Sequence, residues 1–337
     1  MKRAMLRGPG DLTVEECVKP EPGPGEVIVR VAACGICGSD LHSFKGEHPL
    51  VIYPVTPGHE FAGTVSATGE GVDPGLEGSL ACVEPSLFCG QCPQCRSGRY
   101  NICDSLRVMG FQAPGAMCEY VAVPAHRLHM LPGDADLLAG ALAEPAAVGV
   151  HAVARSDLKS GEKALVIGAG VIGLMVLKAA LARGCEVVVV EENAERAARA
   201  AGFGAADSFV FSEVDVAALS EVGGREDFSA VFECVGKADT IDLAVRVAPR
   251  GGTVVTTGVP AGPVPVAMPL VQDGELDIRG TLMYMGEDYE RALEMIAAGS
   301  IKASDFVTHT FSLDDIVKGY GVMAAAQPAT LKVMIEI

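Results

Sequence analysis

The chain has 337 residues, 49% hydrophobic and 20% charged, with 40 glycines and no tryptophan. That composition suits a turn-rich globular protein of two domains at roughly 100–200 residues each and excludes a disordered or fibrous chain. The 43 acidic and 26 basic residues give a net charge of −17, which repels nucleic-acid phosphates and anionic bilayers, so no nucleic-acid or membrane partner is expected.

Met1–Arg7 is charged like the start of an export signal, but Gly8-Pro9-Gly10-Asp11 stands where an apolar stretch is needed. A cytoplasmic location is therefore expected, with the 11 cysteines reduced, so clustered cysteines are read as metal ligands before disulfides. From Asp11 to about Val123, short β-rich runs such as Glu26–Val31 and Phe61–Ser66 alternate with Gly and Pro, which predicts an irregular, mostly β domain. Around Ala164 the pattern changes to apolar strands separated by helix-length segments. The predicted strands are Ala164–Ile167, Glu186–Val190, a weaker Ser208–Phe211, Ala230–Cys234, Thr253–Thr257 and Leu276–Leu282. Such alternation predicts a doubly wound parallel sheet. Ala164–Ala182 is apolar apart from Lys178 and nearly long enough to span a bilayer, but glycines at 168, 170 and 173 favour strand, turn and helix. Helices near Tyr289–Ala298 and Asp314–Ala325 and a closing strand Leu331–Ile337 read as rejoining the first domain.

Leu165-Val166-Ile167 leads into Gly168-Ala169-Gly170-Val171-Ile172-Gly173 and then an apolar helix. In that context Gly168 permits the turn, Gly170 admits a pyrophosphate, Gly173 packs helix on strand, and the helix N-terminus offers free N–H donors. Ile172 is counted with the cofactor contacts. Glu191, 18 residues after Gly173 at the end of the second strand, can accept from both adenosine ribose hydroxyls and would repel a 2′-phosphate. NAD is therefore expected over NADP, although Arg196 could lie beside that ribose. The bland reading is a ligand-free glycine turn.

Cys89-x2-Cys92-x2-Cys95-x7-Cys103 gathers four thiols in a Gly- and Pro-containing loop. Four thiolates close a tetrahedral zinc shell with no place for substrate, so the site is expected to be structural. A second set is dispersed: Cys37 in Gly35-Ile36-Cys37-Gly38-Ser39-Asp40-Leu41-His42, His59-Glu60, and Glu144 before Pro145. Each is weak alone, since His59 could be structural, Cys34 and Cys37 a redox pair, and Glu144 a helix cap.

Together, in this order and over essentially the whole chain, these motifs resemble the zinc-containing medium-chain alcohol dehydrogenase family, near its sorbitol and threonine dehydrogenase branch. The resemblance implies an α/β architecture: a Rossmann domain over 150–282 inserted in a β-rich, chaperonin-10-like catalytic domain over 1–149 and 283–337, with the structural-zinc lobe at 86–106. It implies two zinc ions per chain and NAD. Cys37, His59, Glu60 and Glu144 match the catalytic-zinc ligands, direct or through water. Asp40 matches a group orienting His59, and Ser39 and His42 match a proton relay. Thr257, Gly258, Val259, Leu282 and Met283 match cofactor-contacting turns. A homodimer or homotetramer is expected.

The expected reaction is oxidation of a secondary alcohol, such as a polyol, sugar-derived alcohol or hydroxy acid, to the ketone. Zinc with an open position is the Lewis acid that lowers the pKa of the alcohol. Sorbitol itself fits poorly, because sorbitol-type enzymes carry Arg-Tyr where this chain has Met283-Tyr284. Phe44, Phe111, Gln112 and Tyr284 are candidate pocket residues or ordinary packing. Lys45 and His48 suit an acidic substrate or a solvated loop. Two other readings are an NADPH-dependent zinc aldehyde or ketone reductase and a non-catalytic nucleotide-sensing or zinc-storage protein. The second has no use for Ser39 and His42.

Overall fold

The computed structural model describes residues 1–213 and 228–337. It divides into two compact units, residues 1–144 with 292–337, and residues 145–291. The sequence reading placed these boundaries at 149/150 and 282/283. The first observed boundary falls inside the Ala143–Ala154 helix, whose opening turn packs with one unit and whose remainder with the other.

The first unit begins with a hairpin of β1 (Lys2–Gly8) and β2 (Asp11–Glu16). Its main sheet is built on β3 (Glu26–Ile36), β4 (Glu60–Thr68), β5 (Leu80–Val83), β8 (Tyr120–Pro124) and β9 (Leu128–Met130), with β16 (Val307–Ser312) and β17 (Lys332–Glu336) from the chain end. The short pair β6 (Ser86–Leu87) and β7 (Arg107–Val108) closes the cysteine loop. The chain terminus thus rejoins the first sheet, as its apolar alternation predicts, because β17 pairs antiparallel with β3. Val27, Val29, Val31, Phe61, Val333 and Ile335 meet in the core between the sheet and its covering elements.

The second unit is a six-stranded, fully parallel sheet ordered β12 (Asp207–Val210), β11 (Glu186–Glu191), β10 (Lys163–Ile167), β13 (Phe228–Glu233), β14 (Thr253–Thr256) and β15 (Asp277–Gly280). The order reverses direction at β10, the topological switch point where open α/β sheets take their ligands. All six predicted strands are present, within two or three residues of their expected ends. The apolar run at Ala164–Ala182 divides into β10 and a helix of 12 residues, Val171–Ala182, well short of the roughly 20 needed to cross a bilayer. No helix among the described residues is long and apolar enough to cross a membrane.

Candidate metal centres and dinucleotide pocket

The four-cysteine loop folds on itself through local turns. Cys92 caps the short Pro93–Arg96 helix, its sulfur accepting from the Cys95 N–H. The four sulfurs lie within 4.8 Å of one another, with Cys92 to Cys95 at 3.5 Å and Cys89 to Cys95 at 3.9 Å. Zinc–sulfur bonds of about 2.3 Å in a tetrahedron put sulfurs about 3.8 Å apart, so the cage fits the ion. Backbone N–H groups also aim at the sulfurs: Cys89 donates to Cys103 and Cys92 to Cys89. The N–H of Cys95 is the main reason the Cys92 thiol is lowered to about 6. Beneath the lobe, buried Glu84 takes Arg127 at 2.9 Å and the Tyr100 hydroxyl at 3.2 Å, while the Arg127 guanidinium lies over the Phe88 and Tyr100 rings. The lobe is therefore fastened at its base by a buried ion pair and the rings stacked on its guanidinium. Cys95→Ser is expected to leave one zinc fewer by elemental analysis and to lower the melting temperature by about 10 °C. Unchanged zinc content would remove the cage from this account.

The second cluster depends on strand register. Gly35 of β3 stands opposite Glu60 of β4, and Ile36 opposite Val333 of β17. Those two pairings bring Cys37 at the end of β3, His59-Glu60 at the start of β4, and Lys332 together from three distant parts of the chain. Donor atoms of Cys37, His59 and Glu60 lie within 4.8 Å of one another, a sulfur, nitrogen and oxygen set that suits zinc with a position left open. Cys37 also caps the Gly38–Lys45 helix, its N–H donating to Asp40 Oδ2 at 2.9 Å. The other Asp40 oxygen stands 3.6 Å from His59 Nδ1, both atoms buried and without a hydrogen bond. A small closure would complete the carboxylate–histidine contact that orients a metal-bound ring. Burial by itself would lower the His59 pKa, but Asp40 and then Cys37 raise it well above the ordinary value. A metal entering there must displace that proton.

Glu60 is held in a way its sequence context did not reveal. Lys332 Nζ, buried, lies 2.8 and 2.7 Å from its two oxygens, and a Cβ on Gly35 would come within 2.1 Å of Glu60 Oε2. Burial pulls the Lys332 pKa down, yet Glu60 first, then Cys37 and Glu144, keep it above the ordinary lysine value. Lys332 was absent from the sequence reading. The available signal was a single cation in the otherwise apolar run Leu331–Ile335, which only a buried partner can satisfy. Glu144, 6% exposed in the first turn of its helix, is within electrostatic reach of Lys332 but is not in the three-donor group.

Ser39 and His42 lie one turn apart on the Gly38–Lys45 helix, Ser39 partly buried and His42 exposed. Of the candidate pocket residues, Phe44 packs against Tyr320, Tyr284 is fully buried against Tyr289, and Gln112 bridges the Val108 N–H and the Leu50 carbonyl. Those three serve packing and loop anchoring.

In the second unit the fingerprint turn has the geometry its glycines predict. Gly168 has φ +102°, Gly173 is so close to the Gly168 carbonyl that a Cβ would sit 1.8 Å from it, and Gly170 faces open space. A cavity of about 350 Å³ opens there, lined by Gly168, Gly170, Glu191, Arg196, Lys237 and Thr240 among others. Glu191 is buried at the end of β11, accepting from the Ala169 N–H at 2.6 Å and the Asn193 N–H at 3.1 Å. Each oxygen retains a lone pair for a ribose hydroxyl. Lys237 is paired with Glu192 at 2.7 Å. Thr257, Gly258 and Val259 follow β14, and Gly258 packs directly on the Gly236 backbone. Leu282 is half exposed, and Met283 holds a left-handed φ of +49°, a conformation costing a side-chain-bearing residue about 1 kcal/mol. Ile172 is partly buried in the first turn of the Val171–Ala182 helix.

Residues 23–133 match the family model of the alcohol dehydrogenase GroES-like domain, and residues 171–298 that of the zinc-binding dehydrogenases. The chain belongs to the zinc-containing medium-chain alcohol dehydrogenase family. It is 36% identical over 317 residues to 2-dehydro-3-deoxy-L-galactonate 5-dehydrogenase of Pseudoalteromonas atlantica, covering 94% of this chain and 92% of that protein. A zinc-binding dehydrogenase of Sinorhizobium meliloti 1021, bound to NADP, superposes with a TM-score of 0.92 at 33% identity, over 100% of this chain and 99% of that one. An alcohol dehydrogenase of Escherichia coli CFT073 complexed with NADH superposes with a TM-score of 0.94 at 27% identity, with the same coverage. As a member of this family the chain is a zinc-dependent oxidoreductase of secondary alcohols with a Rossmann-type nicotinamide dinucleotide domain.

Proposed function

We propose that the protein oxidises a secondary alcohol bearing a neighbouring polar group to the ketone, with NAD as acceptor and two zinc ions of unequal role. The observation carrying this reading is the contrast between a closed cage of four thiols and an open group of one thiol, one imidazole and one carboxylate. When bound, zinc supplies a Lewis acid and the dinucleotide a hydride acceptor. Cys37 and His59 would hold the catalytic ion, with Glu60 or Glu144 as third donor, and Cys89, Cys92, Cys95 and Cys103 the structural one. The Ser39 hydroxyl would accept the alcohol proton as it releases its own towards His42, by way of the cofactor ribose when the dinucleotide is bound, and His42, one turn along the same helix and exposed, would pass a proton to solvent. Asp40, 3.6 Å from His59 Nδ1, would orient the ring when its other nitrogen holds a metal.

NAD is favoured by the way Glu191 is held. Two backbone N–H groups pin its carboxylate in a buried position, so it cannot swing aside for a 2′-phosphate, and the like charges would meet at low dielectric. Arg196, lining the same cavity, and the NADP-bound relative support the other cofactor. Parallel assays with NAD and NADP over alcohols, vicinal diols, sugar acids and 3-hydroxy amino acids, following reduced nicotinamide, test the proposal. NAD is expected to have the higher kcat/KM, and Glu191→Ser to narrow the gap about tenfold or more, the equivalent of about 1.4 kcal/mol. Equal constants for the two cofactors in the unmodified protein would refute the assignment. Simple primary alcohols outperforming every diol and hydroxy acid would refute the substrate class.

A further inference from the structure

His48 lies in the His48–Ile52 loop, and two restraints hold its ring. Its plane stacks on Phe111, with centroids 4.5 Å apart and an interplanar angle of 6°. Its Nδ1 accepts the Leu50 N–H at 3.2 Å. The loop is itself tied down: Gln112 Nε2 donates to the Leu50 carbonyl at 2.7 Å and the Ile52 N–H donates to the Phe111 carbonyl at 3.0 Å. Phe111, the ring beneath His48, also lies against His59 with centroids 5.0 Å apart. His48 is therefore one aromatic ring away from a residue of the three-donor cluster.

An imidazole that accepts at Nδ1 carries its proton on Nε2. Partial burial, the largest influence on His48, lowers its pKa, which agrees with the neutral ring that the Leu50 contact requires. Asp40, His42 and His59 act on it electrostatically, so the ring is within range of the metal ligands and of the exposed end of the relay helix. The Leu50 contact is the hydrogen bond the described residues give the ring, and it leaves the Nε2–H without a protein acceptor. A donor so oriented costs little entropy to engage, because the stack and the Leu50 bond already fix the side chain.

We propose that His48 is a specificity-determining residue whose Nε2–H donates to a hydroxyl or carboxylate oxygen next to the reacting carbinol. The assignment rests on the secondary-alcohol reading above and names the group that recognises the substrate's second polar function. It also assigns the discrimination that Met283, with no donor, cannot supply. The donor contributes binding, takes no part in proton or hydride movement, and acts beside the metal ligands without touching them.

The test compares butane-2,3-diol with butan-2-ol, which differ by the second hydroxyl, using the zinc-loaded protein and NAD. A hydrogen bond lost from a partly buried site is worth about a tenfold change. His48→Leu is expected to raise KM for the diol about tenfold with kcat changed less than about threefold, and its effect on butan-2-ol to be at least about fivefold smaller. His48→Gln, which retains an N–H donor at similar reach, should recover most of the diol KM. His48→Phe, which retains the stack without the donor, should behave like the leucine variant. Equal losses on both alcohols, or recovery by phenylalanine, would overturn the proposal in favour of packing. Calorimetric titration of the diol into each zinc-loaded variant gives a readout independent of turnover. Binding about tenfold weaker in His48→Leu supports the proposal and unchanged binding overturns it. If the unmodified protein oxidises neither alcohol, the functional reading fails, and the titration still decides His48.

Discussion

Cys37→Ser is expected to abolish turnover, by on the order of 10³-fold or more in kcat, while leaving the fold intact. A serine hydroxyl is a poor replacement for a thiolate on zinc, so one ion of two should be lost. The stability cost should stay below about 1 kcal/mol, because Cys37 is only partly buried and the Gly38–Lys45 helix keeps its Asp40 cap. The contrast with Cys95→Ser is the decisive feature: both lose one metal, but Cys37→Ser loses activity with little change in stability, whereas Cys95→Ser loses stability. Elemental analysis, circular dichroism melting and initial rates on the same preparations measure all three quantities. A Cys37→Ser protein that keeps two zinc ions and full activity would remove the three-donor cluster from the mechanism.

The second large effect is expected at Lys332. Its ammonium and the Glu60 carboxylate are both nearly inaccessible, with side-chain exposures of 3% and 1%. Removing one partner strands the other as an unpaired buried charge, at a cost of about 3–5 kcal/mol. Lys332→Met should therefore lower the urea midpoint of the metal-free protein by the equivalent of that amount. Lys332→Met with Glu60→Gln should recover part of it, because the stranded charge is then removed as well. The pair also bears on the metal. Lys332 holds both Glu60 oxygens while a Glu60 oxygen stays within 4.8 Å of the Cys37 and His59 donor atoms, so the ammonium competes with a metal for the same carboxylate. Freeing it should tighten zinc at that site, measured as slower release to a chelator. A loss of stability under about 1 kcal/mol, with release unchanged, would show the pair to be energetically idle.

Features written in short stretches of chain are legible in the sequence. The strand, Gly168-Ala169-Gly170-Val171-Ile172-Gly173 and helix sequence is local, because turn geometry, pyrophosphate access and helix packing are decided within about ten residues. The Cys89–Cys103 loop is local too: spacings of two and seven residues with intervening glycine and proline let the backbone return on itself and aim N–H groups at sulfur. The six strands of the parallel sheet followed from apolar runs of strand length separated by helix-length segments, since burial on both faces leaves that signature. Cys37, His59 and Glu60 could be named as a group only through the family resemblance, since nothing in their spacing makes them neighbours.

What the tertiary structure decided lies at long range. The pairing of Gly35 with Glu60 assembles the donor cluster, and that of Ile36 with Val333 brings Lys332 to it from the other end of the chain; register across strands is not encoded in any single segment. Lys332 acquired its meaning there, as did Glu144, which the fold leaves outside the three-donor group. Gln112 and Tyr284, readable as pocket residues or as packing, are a loop anchor and a core residue. His48, readable as a solvated loop residue, became an oriented donor because Phe111 lies beneath it. Sequence by itself determined the local elements, the glycine turn after β10 and the gathering of four thiols in one loop, since those depend on interactions within a few residues. Only the fold determined which distant charges and rings meet, because that depends on strand register and on the burial it imposes.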